Sequence, residues 1–216
     1  MCSSDLRAFG AAGEIHDLAF DLFALERLQC RHVLHHHDRR GDAVLGCADA
    51  AADRERPADA LERFLRCYDR RLIAHTRPYP GIGEVLAQLA PAHRLAVLTN
   101  KPLTATRQIL AGLGLAHHFA PELVFGGDGP YPRKPDAEGL RALIAMTGST
   151  PSTTWLVGDS VVDWRTAQAA GSPCCLCRYG FGFEGVPAEV LTENQPVIDS
   201  PAELPVILAS AACNES

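Results

Sequence analysis

The stretch Trp155-Leu156-Val157-Gly158-Asp159-Ser160-Val161-Val162-Asp163 decides how the rest of this 216-residue chain is read. An apolar run stops at Gly158, two polar residues follow at once, and a helical pattern begins at Asp163 and continues through Ala167, Ala169 and Ala170. That is the pattern of a buried strand ending at its carboxyl edge, with carboxylates at positions 159 and 163. In open α/β sheets the carboxyl edge is where ligands bind. The same residues also suit a plain helix start with Asp159 or Ser160 as the cap. The nine residues by themselves leave both readings open.

Working outward, the same alternation recurs. Leu95 to Leu98 is a continuous apolar run, as expected of a parallel strand buried on both faces. Thr99-Asn100-Lys101-Pro102 closes it, and a helix pattern follows through Ile109, Leu110 and Leu113. Leu123 to Phe125 is a second strand candidate, followed by a loop from Pro130 to Asp136 and a helix carrying Leu140, Leu143, Ile144 and Met146. Trp155 to Val157, Cys174 to Cys177 and Val197-Ile198 complete the strands, before a final helix from Pro201 to Leu208. Strands alternating with helices predict an α/β fold: a doubly wound, Rossmann-like parallel sheet with right-handed crossovers.

The first third reads differently. Ile15, Leu18, Leu22, Leu25 and Leu28 recur at three- and four-residue steps and predict one amphipathic helix, with Asp21 on its polar face. The His- and Arg-rich run from Arg31 to Gly41, including His35, His36 and His37, reads as a solvated loop, because three consecutive side chains cannot converge on one metal. Leu61, Phe64, Leu65, Tyr68 and Leu72 predict a second amphipathic helix, ending before the hinge-like Arg77-Pro78-Tyr79-Pro80-Gly81. A shorter helix is expected around Val85, Leu86 and Leu89. The division that follows is an atypical N-terminal segment over 1–57, the end of a helical cap and its hinge over 58–77, and an α/β core over 78–216.

Composition narrows the class. Apolar residues make up 47% of the chain, enough for a packed interior. A net charge of −6 gives no nucleic-acid footprint, and no apolar run reaches membrane-spanning length. Met1 to Gly10 lacks the features of a signal peptide, so a cytoplasmic protein is expected. Cys174 and Cys177 stand at C-x-x-C spacing, but within the apolar run Cys174-Cys175-Leu176-Cys177 all three cysteines read as buried apolar residues, since adjacent strand residues point to opposite faces. Of the 20 basic residues only Lys101 and Lys134 are lysine, which marks them as places that need a compact ammonium.

Three polar clusters stand at or beyond strand ends: Thr99 and Asn100, then Lys134, then Asp159 and Asp163. In a parallel sheet these loops emerge on one edge and can converge. A hydroxyl, backbone N–H groups at a helix start, one ammonium and two carboxylates suit a phosphoryl group beside a hard divalent cation. Each cluster has a plainer reading, as a helix cap or a solvated loop charge. Their order along an α/β pattern is what makes the set specific.

As a set, Leu98-Thr99-Asn100-Lys101-Pro102, Arg133-Lys134-Pro135-Asp136 and Val157-Gly158-Asp159-Ser160-Val161-Val162-Asp163 resemble motifs two, three and four of the haloacid dehalogenase-like hydrolase superfamily. Pro78 to Gly81, Arg178-Tyr179-Gly180-Phe181-Gly182 and Val197 to Pro201 resemble its phosphoglycolate phosphatase branch. The match covers roughly Ala58 to Leu208. It implies a small helical cap over the core and a Mg2+-dependent phosphomonoester hydrolase of small phosphorylated metabolites, 2-phosphoglycolate first among them. Thr99, assisted by Asn100, would hold a phosphoryl oxygen. Lys134 would neutralise charge on the nucleophile and the phosphoryl group. Asp159 would bind Mg2+, with Asp163 supporting the metal directly or through water.

One departure stands against that set. The family's first motif, Asp-x-Asp-Gly-Thr, supplies the aspartate that becomes an aspartyl phosphate and a second aspartate that acts as general acid and base. It does not occur in this chain. The nearest sequence is Phe20-Asp21-Leu22, where Phe23 occupies the second carboxylate's place. The expectation is therefore a core lacking its first-motif strand, with 1 to about 56 a mistranslated, wrongly joined or frame-shifted version of another N-terminus. A sugar-phosphate phosphatase or phosphomutase, and a phosphate-binding domain without turnover, stay open beside the first reading.

Overall fold

A computed structural model of the protein describes residues 17–20, 26–28 and 76–214. In chain order the elements are β1 (Asp17–Phe20), β2 (Glu26–Leu28), β3 (Thr76–Pro78), α1 (Ile82–Leu89), β4 (Leu95–Leu98), α2 (Leu103–Gly112), β5 (Val124–Phe125), α3 (Glu138–Thr147), β6 (Thr154–Gly158), α4 (Val161–Ala170), β7 (Cys174–Cys177), β8 (Val197–Ile198) and α5 (Leu204–Asn214). Six strands form one sheet in the order β5-β4-β1-β6-β7-β8, and every pairing in it is parallel. The strand expectations from Leu95 onward hold to within a residue or two. The final helix starts at Leu204, after a short 3-10 turn over Pro201–Glu203.

The sheet is buried on both faces because its strands are apolar at consecutive positions and successive side chains point to opposite sides. Phe20, Leu95, Val97, Trp155, Val157, Cys175 and Cys177 pack with α1, α2 and α5. Ala19, Ala96, Leu98, Leu156, Cys174 and Leu176 pack with α3 and α4 on the other side. Two arginines finish the helices on that second face. Arg94 donates to the carbonyl of Thr147 at the end of α3, and Arg141 to that of Ala169 near the end of α4. Both satisfy carbonyls that a helix end leaves without an intrahelical partner.

The amphipathic helix expected around Ile15 to Leu28 is corrected. Residues 17–20 form β1, the strand between β4 and β6, with Phe20 level with both Val97 and Val157. Residues 26–28 form β2, antiparallel to β3. The three- and four-residue spacing of the leucines was real, but the consecutive apolar residues Leu18-Ala19-Phe20 fit a strand as well. What decides is the gap between β4 and β6, whose backbone groups need a partner. The core therefore has its central strand, contrary to the expectation that this strand would be missing. The helix expected over Leu61 to Leu72 and the His- and Ala-rich segments before it lie outside the described residues.

This topology sets the place of the site. From β4 the chain moves outward to β5, then crosses back over β1 to β6 and continues outward to β7 and β8. The direction switches at β1, and the loops leaving β4 and β6 on either side of it diverge, opening a crevice at the carboxyl edge.

Candidate active site

Thr99 follows the last residue of β4 and is 2% exposed. Its N–H donates to the Phe125 carbonyl, extending the β4–β5 pairing, and its Oγ1 accepts the N–H of Lys101 at 3.3 Å. The loop after β5 packs directly on this turn. Gly127 donates its N–H to the Lys101 carbonyl at 2.7 Å. A Cβ on Gly127 would stand 2.3 Å from the Asn100 carbonyl oxygen, so only glycine allows the two loops this approach. Asp128 Oδ1 accepts the N–H of Leu103 and closes the start of α2.

Asn100 joins the loops a second time. Its Nδ2 donates to the Lys134 carbonyl at 2.9 Å, while its Oδ1 accepts the Lys134 N–H at 2.8 Å. It was expected to assist Thr99 on a phosphoryl oxygen. Its side chain clamps the backbone that carries Lys134.

The Lys134 side chain then reaches the third cluster. Its Nζ lies 2.5 Å from Asp163 Oδ1, with both residues buried. Asp163 Oδ2 accepts the N–H of Ser160 at 3.0 Å and its Oγ at 2.6 Å. Ser160 Oγ in turn accepts the Asp163 N–H, which completes a capping box on α4. The reading of these residues as a helix cap is thus realised. Asp163, expected to support the metal, has one oxygen on Lys134 and the other on Ser160.

Asp159 is 2% exposed at the end of β6 and accepts the N–H of Gly182 on Oδ2 at 2.8 Å. A hard carboxylate at a sheet's carboxyl edge suits Mg2+. Its donor set fits such an ion; Asp163, with both oxygens on protein donors, fits only as a neighbour. Among the described residues no group of three or more His, Cys, Asp or Glu side chains comes together as a ready-made metal cage. Asp21, the residue that follows β1 in the sequence, and Phe23 lie outside the described residues.

Both lysines of the chain are buried at this edge, Lys101 at 9% and Lys134 at 7% exposure. That agrees with the compositional hint that lysine is reserved for special positions. Ser160 was legible as a helix cap, but no task at the site was assigned to Gly180 or Gly182. The run Arg178-Tyr179-Gly180-Phe181-Gly182 stood out as a motif, but only the fold brings it against Asp159.

A sequence profile described as haloacid dehalogenase-like hydrolase matches residues 24–177. A phosphoglycolate phosphatase of Rhodospirillum rubrum is 43% identical over 143 residues, covering 66% of this chain and 58% of that protein. The chain thus spans less than two thirds of that relative's length. A plasmid-encoded phosphoglycolate phosphatase of Cupriavidus necator is 36% identical over 161 residues, 74% of this chain and 68% of its own length. Among solved structures, one described as a predicted phosphoglycolate phosphatase from Haemophilus somnus superposes with a TM-score of 0.69 at 25% identity, covering 89% of this chain and 98% of that one. No helix among the described residues is long and apolar enough to cross a membrane.

Proposed function

The chain belongs to the haloacid dehalogenase-like hydrolase family, and on that premise we propose that it is a Mg2+-dependent phosphomonoester hydrolase of small phosphorylated metabolites, with 2-phosphoglycolate as the leading substrate. The observation that carries the reading is the buried Lys134 ammonium, balanced by Asp163 at 2.5 Å, with Thr99 and Asp159 buried directly after β4 and β6 at the carboxyl edge of the sheet. A cation held in a water-poor crevice attracts a phosphoryl group far more strongly than one in solvent.

In this reading Thr99 holds a phosphoryl oxygen through its hydroxyl, and Lys134 offsets the charge that develops on the phosphoryl group. Asn100 keeps the Lys134 loop in register, and Asp163 keeps the ammonium aimed and charged. Asp159 holds the Mg2+, which when bound draws negative charge from the phosphoryl oxygens. The attacking group is Asp21. Its support is its position in the chain, directly after the central strand and level with the Phe-Asp-Leu start of the family's first motif. Its carboxylate forms a bond to phosphorus as the ester P–O bond breaks. The departing oxygen takes its proton from one water, because Phe23 has none to give; a second water then attacks phosphorus, the bond from phosphorus to the Asp21 carboxylate breaks, and inorganic phosphate leaves.

The free, buried thiols of Cys174, Cys175 and Cys177 fit a cytoplasmic location. The test is phosphate release from 2-phosphoglycolate and p-nitrophenyl phosphate with and without Mg2+. Release that needs Mg2+ and disappears in Asp159→Asn supports the assignment. A second reading, a phosphate-binding domain without turnover, is favoured by Phe23 in place of a carboxylate. Phosphate binding by calorimetry with no release from either ester would establish that one instead.

A further inference from the structure

The loop after β7, residues 178–182, is held from several sides and presses on Asp159. Arg178 donates its N–H to the Ile198 carbonyl at 2.9 Å and pairs with Asp199 at 2.9 Å. Its guanidinium also lies 5.6 Å from the centre of the Phe183 ring. Tyr179 packs edge-on against Tyr79, with ring centroids 4.8 Å apart. Gly180 donates its N–H to the Cys177 carbonyl at 3.0 Å, closing a tight turn. The turn leaves no slack at the carboxylate. A Cβ on Gly180 would stand 2.1 Å from Asp159 Cβ, and one on Gly182 would stand 3.2 Å from Asp159 Oδ1. The Gly182 N–H donates to Oδ2 at 2.8 Å.

We infer that residues 178–182 are a positioning element of the Asp159 metal site: the Gly182 N–H fixes one oxygen of the carboxylate, and Gly180 keeps open the space in which that carboxylate stands. Losing a group that orients a metal-binding carboxylate typically costs about 10–100-fold in metal affinity, because a carboxylate already turned toward the ion loses less freedom on binding. Tyr179 adds a consequence. Its contact with Tyr79, the residue after β3, ties the loop that aims Asp159 to the strand pair through which the chain re-enters the core. The inference rests on the assignment of Mg2+ to Asp159 in the proposed function.

The test reads metal affinity rather than turnover. Gly182→Pro removes the N–H donor at φ −83°, a value proline accepts, on a partly exposed loop. Gly180→Ala keeps every donor and displaces Asp159 sterically. Mg2+ is titrated into the wild type and both variants by calorimetry without substrate, with circular dichroism and Tm recorded beside it. Both variants are expected to keep the fold and to bind Mg2+ about 10–100-fold more weakly, while phosphate binding without Mg2+ stays unchanged. Either variant, folded and binding Mg2+ like the wild type, overturns the inference and leaves the proposed function standing. Loss of fold in both assigns the loop to folding and overturns it as well. A wild type that binds no Mg2+ sinks the metal assignment itself and the inference with it.

Discussion

Lys134 Nζ lies 2.5 Å from Asp163 Oδ1, and their side chains are only 4% and 0% exposed. The two residues come from different crossovers, one from the loop after β5 and the other from the first turn of α4. Their pairing therefore locks the loop to the helix. A buried pair of this kind adds little net stability by itself, but removing one partner strands the other charge. Asp163→Asn is expected to lower stability by about 3–5 kcal/mol, read from urea unfolding. A loss below about 1 kcal/mol would show that the ammonium finds another partner or reaches solvent.

Asn100→Ala separates clamp from charge. It removes two hydrogen bonds from the backbone of Lys134 while leaving that side chain intact. The expected cost is about 1–3 kcal/mol in stability, together with a fall in kcat/KM. If Asn100 instead contacts substrate and does not clamp, kcat/KM drops while the urea midpoint stays at the wild-type value.

The central place of β1 is tested through Phe20, which is 1% exposed and meets Phe119 edge-on with ring centroids 6.3 Å apart. Phe20→Ala should cost about 3–5 kcal/mol. Little or no change in the unfolding midpoint would return this segment to the surface helix that its spacing suggested.

Phe23 makes a prediction about leaving groups. With no carboxyl at position 23, nothing in that place protonates a departing alkoxide, whereas p-nitrophenolate leaves without help. Phe23→Asp should raise kcat on 2-phosphoglycolate by about 10²–10⁴-fold and change p-nitrophenyl phosphate turnover much less. Equal gains on both esters, or none, would refute the reading of this position.

The thiols of Cys174, Cys175 and Cys177 are all pushed above their ordinary value of 9.0, chiefly by burial away from water. Neighbouring charges add to this, including Asp163 beside Cys174. Raised folded-state values mean that, as pH rises past 9, the unfolded chain releases these protons first. The unfolded state then gains relative to the native one. Stability from these groups is complete below pH 9 and declines above it, by up to about 1.4 kcal/mol per pH unit per group. Urea midpoints at pH 8 and pH 10 check the sign. Alkylation followed by peptide mapping should label these three residues only after unfolding.

From the sequence, the strands after Leu95, the helices between them and the three polar clusters could all be read, because each rests on local pattern. Continuous apolar runs mark strands buried on both faces, and polar residues at their ends mark the carboxyl edge. β1 was not legible in the same way. Four residues of strand cannot be told from a helical turn by spacing, and only the gap between β4 and β6 decides the matter. The roles within the site were likewise beyond local pattern. Asp159 and Asp163 look alike in the sequence, as two carboxylates on one motif. The fold separates them by bringing Lys134 and Ser160 to one and the Gly182 N–H to the other, partners that meet these carboxylates only when the crossovers pack. Residue type and order thus set which chemistry the chain can hold. Which carboxylate meets the ammonium and which meets the Gly182 N–H was decided by the tertiary structure, because these partners are distant in sequence and come together only when the crossovers pack.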